Sequence, residues 1–552
     1  MKSISVFLVL SIVLILGGCA DEPEQKGGEP TESDIAAASR LTGLKFSPSE
    51  RDSMLQNLRD NLKSYRKLRD IDIDNSIPPA LVFDPVPAGK SFDKPEKKIV
   101  VRPPGDVRVP DDPEELAFYT VRELAELIRA RRITSVQLTQ LCLNRLKKYD
   151  PDLKCVITLT EDLAMKQARR ADREIAEGRY RSLLHGIPYG VKDLLSTEDY
   201  KTSWGAAPYR DQVIDRDAVV IRKLEEAGAV LVAKLTLGAL AWGDVWYGGK
   251  TRNPWKTEEG SSGSSAGPAS AVAAGLVPFA IGTETWGSIV SPSARCGTTG
   301  LRPTFGRVSR SGAMALSWSM DKIGPICRTA EDCAIVFEHI RGGKGEDRSV
   351  IEAPFNYHYN VDPGNLKIGY LKELFQEDYP GSAKDSLFLE QMRELGAELI
   401  PVELPDYPVM SMAFILNAEA AAAFDRLTRS GKDDLLTRQV RNAWPNVFRA
   451  SRFIPAVEYI QANRLRYIII QEMEELDVDL YFAPSFGGNN LLLTNLTGHP
   501  CVVLPNGFEE DGTPVSVSII GKLFGEAEIL AVAGAYQQVT DYEDRHPRGF
   551  MK

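Results

Sequence analysis

Apolar residues recur at spacings of three and four through Leu55, Leu58, Leu62, Tyr65 and Leu68, inside a charged stretch from 34 to 75. That period places them on one face of a helix. From 76 to 115 the pattern dissolves into frequent prolines, which predicts an extended connector. Helical periodicity returns in two blocks of YTVRELAELIRARRITSVQLTQLCLNRLKKYD, with Thr120 and Thr134-Ser135 standing where caps are expected. A third, Ala-rich helix is predicted over 161–177. Then the pattern changes. GIPYGVKD and AVLVAKL are short apolar runs of the kind that buried strands carry, and the helical DAVVIRKLEEAG stands between them. This alternation predicts an α/β fold. A further helix leads into a strand over 268–281, and the stretch from about 355 to 475 is more helical and less patterned. Strands are expected at DLYFAPS, CVVLPNGF and SVSIIG, ahead of a last helix, EAEILAVAGAYQQVTDY.

Composition narrows the classes of function. A hydrophobic fraction of 43% and a charged fraction of 26% are ordinary for a globular protein, and 552 residues can bury a large core. The net charge of −10 argues against nucleic acid as the main ligand, because phosphate binding needs clustered Lys and Arg. The seven cysteines form no CxxC pair and no zinc spacing, and the five histidines form no metal pattern. No metal site is expected.

Residues 1–19, MKSISVFLVLSIVLILGGC, combine a basic start with an apolar run of signal-peptide length. Leu16-Gly17-Gly18-Cys19 resembles the bacterial lipobox, which implies cleavage before Cys19 and its lipidation. The following residues, 20–33, are polar and rich in Gly, Pro and Glu, as a flexible tether is. The expectation is an exported body held to a membrane by a lipid anchor at Cys19. Ala20 after the cysteine favours the outer membrane or the periplasmic face.

Three stretches carry candidate chemistry. Lys192 closes an apolar strand, and strand ends in α/β sheets face the ligand crevice. EGSSGSSAGPASAVAAG, residues 259–275, is a Gly/Ser loop entering a helix; it suits anion binding but lacks the Gly-Lys-Ser/Thr of a nucleotide loop. GTETWGSIVSPSARCG holds Ser288 without a G-x-S-x-G elbow. A serine hydroxyl needs a base to be a nucleophile, and no histidine is near Ser288 in sequence.

Together LHGIPYGVKD, GSSGSSAGPASAVAAGLVPFAIGTETWGSI and CGTTGLRPTFGRVSR resemble the amidase signature family. The likeness continues through SMDKIGPICRTAEDCA to LTGHPCVVLPNGF, and covers roughly 116–546, the expected amidase domain. Residues 34–115 are left as a helical and proline-rich extension. The resemblance implies a large mixed β-sheet surrounded by helices and hydrolysis of a carboxamide through a serine acyl-enzyme. It makes Ser288 the nucleophile, Ser264, 24 residues earlier, the bridging serine after a cis bond from Gly263, and Lys192 the base. A lysine does this only when neutral, which burial at a strand end promotes. The N–H groups of Thr285, Trp286, Gly287 and Ser288 would hold the oxyanion. No cofactor is implied, and the partner is a small-molecule or peptide amide, with esters as a variant.

Two departures stand out. Trp286 occupies a position where glycine is common, so its ring either narrows the pocket or turns away, and Val290 stands where arginine is common. Trp204, Trp286, Trp318 and Trp444 are candidates for a pocket wall or for core packing, and Asp321 for substrate orientation or for a structural cap. Two other readings share the scaffold: the glutaminase component of a tRNA-dependent amidotransferase, and a non-catalytic envelope-binding protein.

Overall fold

A computed structural model describes residues 29–92, 95–343 and 345–551. The expected signal segment and Cys19 lie outside the described residues. The chain divides into two compact units, one ending at Asp72 and the other starting at Ile73.

In the first unit the periodic residues Leu55 to Leu68 all fall in one helix, as expected, and a second, shorter helix precedes it. Helix α1 (Glu32–Thr42) ends at Gly43, which takes a left-handed φ of 72°. Helix α2 (Pro48–Arg69) begins behind Ser47, with Pro48 in its first turn. Ser47 and Glu50 close a capping box: Glu50 N donates to Ser47 Oγ at 3.3 Å and Ser47 N to the Glu50 carboxylate at 2.6 Å.

The second unit is built on an eleven-stranded mixed sheet. Its strands are β1 (Val156–Leu159), β2 (Pro188–Lys192), β3 (Val230–Leu235), β4 (Phe279–Glu284), β5 (Thr299–Arg302), β6 (Lys322–Cys327), β7 (Ile368–Tyr370), β8 (Leu399–Pro401), β9 (Leu480–Pro484), β10 (Cys501–Phe508) and β11 (Pro514–Gly521). They lie in the order β1-β3-β2-β4-β6-β5-β10-β11-β9-β7-β8. β2 lies between β3 and β4 and runs parallel to both. Every residue of β2 and β3 is buried, which is why both read as near-continuous apolar runs.

Helices cover the sheet and tie its strands in place. α3 (Val121–Arg129) and α4 (Ser135–Leu153) start with capping boxes on Thr120–Glu123 and Thr134–Gln137. Thr134 is thus the cap, while Ser135 is already helical, and its Oγ donates to Gly186 O at 2.8 Å just ahead of β2. The Ala-rich α5 (Ala266–Ala273) is buried along its whole length and packs on β4. The short α6 (Val290–Cys296) follows β4 after one turn. The last helix is shorter than expected, Glu526–Gln537.

The proline-rich connector is extended, as predicted, and is held along the second unit by its backbone. Lys97 N donates to Asn356 Oδ1 at 2.7 Å, Val100 N to Tyr357 O at 2.9 Å, and Arg102 N to Glu331 Oε1 at 2.7 Å. Among the described residues no helix is long and apolar enough to cross a membrane.

Candidate active site

Lys192 ends β2, the third strand from one edge of the sheet, and it is fully buried. Its Nζ lies 2.7 Å from Ser264 Oγ, 2.8 Å from Thr283 Oγ1 and 3.1 Å from Ser265 Oγ. These partners are hydroxyls, with the Thr283 carbonyl at 3.3 Å, and no carboxylate touches the amine. Burial therefore holds the Lys192 pKa well below the usual lysine value, and the more distant Asp321 and Glu284 oppose it only weakly. The neighbouring Asp193 turns the chain at the strand end. It accepts Ser203 N at 2.8 Å and Ser203 Oγ at 2.6 Å, and pairs with the buried Lys234 of β3 at 3.0 Å.

Ser264 and Ser265 sit at the entrance to α5. The Gly263–Ser264 peptide is cis, as the resemblance implies. Glycine is required at 263 by space: a Cβ there would lie 1.9 Å from Gly243 O and 2.4 Å from Gly243 C. Backbone rather than a movable side chain would have to give way. Gly263→Ala is expected to destabilise the fold by about 2–4 kcal/mol in urea unfolding. It should also lower kcat about 100-fold or more, since Ser264 is displaced from Lys192. A variant with wild-type stability and turnover would mean that the contact is not limiting.

Ser288 lies on the turn between β4 and α6, and is 8% exposed. Ser265 N donates to its carbonyl at 3.1 Å, which ties the turn to the Ser264–Ser265 pair. Ser288 Oγ has no hydrogen-bond partner among the described residues. The N–H groups of Thr285, Trp286, Gly287 and Ser288 have no acceptor among them either, so four consecutive donors are free at one turn. Gly287 makes the turn possible with a φ of 81°.

The turn is held from below by Glu284, the acid that closes β4. Its Oε2 accepts Ile289 N at 2.8 Å and Val290 N at 2.9 Å, and its Oε1 accepts Arg302 Nη1 at 2.9 Å and Asn495 Nδ2 at 2.8 Å. Burial alone would raise the Glu284 pKa; Arg302, the Val290 N–H and Asn495 outweigh it and hold the carboxyl below the usual value. Arg302 thus supplies a guanidinium close to the turn although position 290 is valine. From the sequence, Glu284 was missed as a positioning group. The available signal was an acid ending an otherwise apolar strand.

Asp321 ties a loop to the turn and also lines a cavity. Its Oδ1 accepts Thr285 Oγ1 at 2.6 Å, and its Oδ2 accepts Leu316 N at 2.8 Å and Ser317 N at 2.9 Å. Glu419, from the helix Phe414–Ala423, fixes the same loop by accepting Ser317 Oγ and Ser319 Oγ, both at 2.7 Å. The four tryptophans separate. Trp204 packs in the core against Tyr209 and Phe424, and Trp444 stacks on Phe448 while its Nε1 donates to Leu240 O at 2.9 Å. Trp318 lines a cavity with Thr283, Thr285 and Asp321. Trp286 is 38% exposed, so its ring turns outward rather than into the core.

The structure therefore gathers Lys192, Ser264 and the Thr285–Ser288 turn at the ends of the adjacent strands β2 and β4. A family model described as Amidase matches residues 137–489. The chain is 35% identical to a glutamyl-tRNA(Gln) amidotransferase subunit from Methylococcus capsulatus over 481 residues, covering 78% of this chain and 99% of that one. Its fold is similar to that of the native peptide amidase from Stenotrophomonas maltophilia, with a TM-score of 0.68, 30% identity, and coverage of 77% of this chain and 98% of that one. It is also similar to an amidase family protein from Bacillus anthracis, with a TM-score of 0.69, 27% identity, and coverage of 79% and 93%. Fold and relatives together define a hydrolase acting on amide C–N bonds. The chain belongs to the amidase signature family.

Proposed function

We propose that this chain hydrolyses a carboxamide through a serine acyl-enzyme, with Ser288 as nucleophile, Ser264 as relay and Lys192 as base. One observation carries the reading: among the described residues, a buried lysine solvated only by hydroxyls and a carbonyl stands beside a turn whose four N–H groups lack acceptors. The relay requires a hydrogen bond from Ser288 Oγ to Ser264 Oγ. Lys192 Nζ then takes the Ser264 proton as Ser264 takes that of Ser288. Ser288 Oγ bonds to the amide carbon, and the carbonyl π pair moves onto oxygen, where the free N–H groups of the turn receive it. One such donor is worth about 2.7–4 kcal/mol in the transition state. The C–N bond breaks, the amine leaves with the proton returned through Ser264, and water repeats the sequence on the acyl-enzyme.

The relatives named as amidotransferase subunits support a second reading, in which glutamine is the amide and the ammonia passes to a partner. The net charge of −10 and the anchor expected at Cys19 favour a free-standing amidase in the cell envelope. The test is labelling of the full chain with a fluorophosphonate, followed by an amide panel that includes glutamine. Labelling lost in Ser288→Ala, with turnover of an amide other than glutamine, is the expected result. Turnover of glutamine alone would establish the second reading. Labelling that survives Ser288→Ala would overturn the assignment of the nucleophile.

A further inference from the structure

A cavity of about 240 Å³ lies behind Thr283, the residue whose Oγ1 contacts Lys192 Nζ. One side is formed by Thr283, Thr285 and Asp321. Thr283 Oγ1 is 2.8 Å from Lys192 Nζ, and Thr285 opens the turn that carries Ser288, so a group seated here is one residue away from the reacting groups. Another wall comes from a segment far away in sequence, Asn75–Val82, through Asn75, Ser76, Pro78, Pro79, Leu81 and Val82. This segment lies outside the residues that the family model matches, 137–489.

The segment is built to stay where it is. Asn75 pairs its amide with the backbone like a strand partner: Oδ1 accepts Ala315 N at 2.8 Å, and Nδ2 donates to Ala315 O at 3.0 Å and Ala423 O at 3.3 Å. Asp74 caps the following turn by accepting Ser76 N at 2.9 Å. Pro78 and Pro79 then fix φ and carry no N–H that would need a partner in an apolar setting. Beyond them, Leu81 is 89% exposed, so this end gains little from burial and the hold falls on Asn75. Pro79, Leu81 and Val82, with Trp318, also line a second, apolar groove of about 1280 Å³ that includes Ile460 and Ile468. The segment and Trp318 therefore partition a small inner space from a large outer one.

We propose that Asn75–Val82 is a strap that sets substrate size, restricting the group seated beside Lys192 to a compact one. The inference rests on the amidase reading above. At about 240 Å³ the inner cavity is below the roughly 300–1,000 Å³ usual for pockets that take drug-sized ligands. With the strap released, inner cavity and outer groove become one, and longer apolar groups fit.

The test uses the full chain and two series of anilides, one lengthened on the acyl side and one on the amine side. In wild type, kcat/KM is expected to collapse in one series beyond a short chain, about tenfold or more per added methylene at the limit. The readout is the ratio of kcat/KM for a long to a short member of that series. A general loss of folding lowers both and leaves the ratio unmoved. Asn75→Ala, which frees the anchored end, is expected to raise the ratio about tenfold or more, and Leu81→Ala, which trims the rim, to raise it less. A wild-type profile flat with length in both series overturns the strap, as does a ratio unchanged in both variants. If wild type hydrolyses no anilide and Ser288 takes no fluorophosphonate, the amidase reading itself fails, and the strap's role falls with it.

Discussion

Lys192→Ala, Ser288→Ala and the double variant are expected to lose activity to nearly the same extent, about 10⁴-fold or more in kcat. The reason is that the two groups serve one event. Ser288 without a base is an ordinary alcohol, and Lys192 without Ser288 has no proton to take on behalf of a nucleophile. Once either is gone, removing the other has nothing left to disable. Ser264→Ala should approach the same floor, because Ser264 Oγ is the group that Lys192 Nζ contacts at 2.7 Å and no contact joins Lys192 to Ser288 directly. Residual turnover above water is expected in all of these variants, since the free N–H groups of the turn remain and still stabilise an oxyanion. The measurement is kcat and KM on one amide for the set, with circular dichroism to confirm folding. Multiplicative losses, with the double variant near the product of the singles, would mean that the groups act independently and would sink the relay.

Much of this site was legible because the groups that carry chemistry lie in short, distinctive stretches. Lys192 announced itself as a charge ending an apolar strand, and the Gly/Ser loop and the Ser288 turn could be placed from local sequence together with the family resemblance. β2, β3 and the Thr134 cap follow from period and composition alone. What holds the site is another matter. Glu284 meets Asn495, Asp321 meets Thr285, and Glu419 meets Ser317, across separations of 211, 36 and 102 residues. Each is an acid with a partner set by strand order and loop path, and even where the chain marks the acid, as at the end of the apolar β4, it does not mark that partner. The order β1-β3-β2-β4-β6-β5 is likewise a long-range property of packing. Asn75 is the extreme case. It stands at the last position of the charged stretch, just ahead of the proline-rich connector, and drew no reading from the sequence, yet its amide bonds to Ala315, 240 residues away. The helix ahead of the periodic residues, Glu32–Thr42, carries no such apolar spacing, and its end at Gly43 and the restart at Pro48 are marked by turn chemistry rather than by period.

Lys192→Met is expected to lower turnover to the same floor as Lys192→Ala and also to remove a particular pH dependence of stability. In the folded protein the Lys192 pKa is held well below 10.5 by burial, whereas in the unfolded chain it returns to the ordinary value. Between these two values the unfolded state binds a proton that the folded state does not. Unfolding free energy contributed by this residue therefore rises with pH across that window, by about 1.4 kcal/mol per pH unit, and is flat below it and above it. Lys234 and Lys322 are also buried with lowered pKa values, so wild type alone mixes several such slopes. Subtracting the Lys192→Met curve isolates one. The same proton governs catalysis in the opposite experiment: kcat/KM should rise about tenfold per pH unit up to the folded-state pKa of Lys192 and level off above it. The kinetic inflection and the lower edge of the stability window must then coincide, because both report Lys192 in the free folded enzyme. Urea unfolding of the two proteins across a pH series, set beside the wild-type rate profile, makes the comparison. An inflection near 10.5, or a difference curve without slope, would show that Lys192 is charged at rest and is not the base.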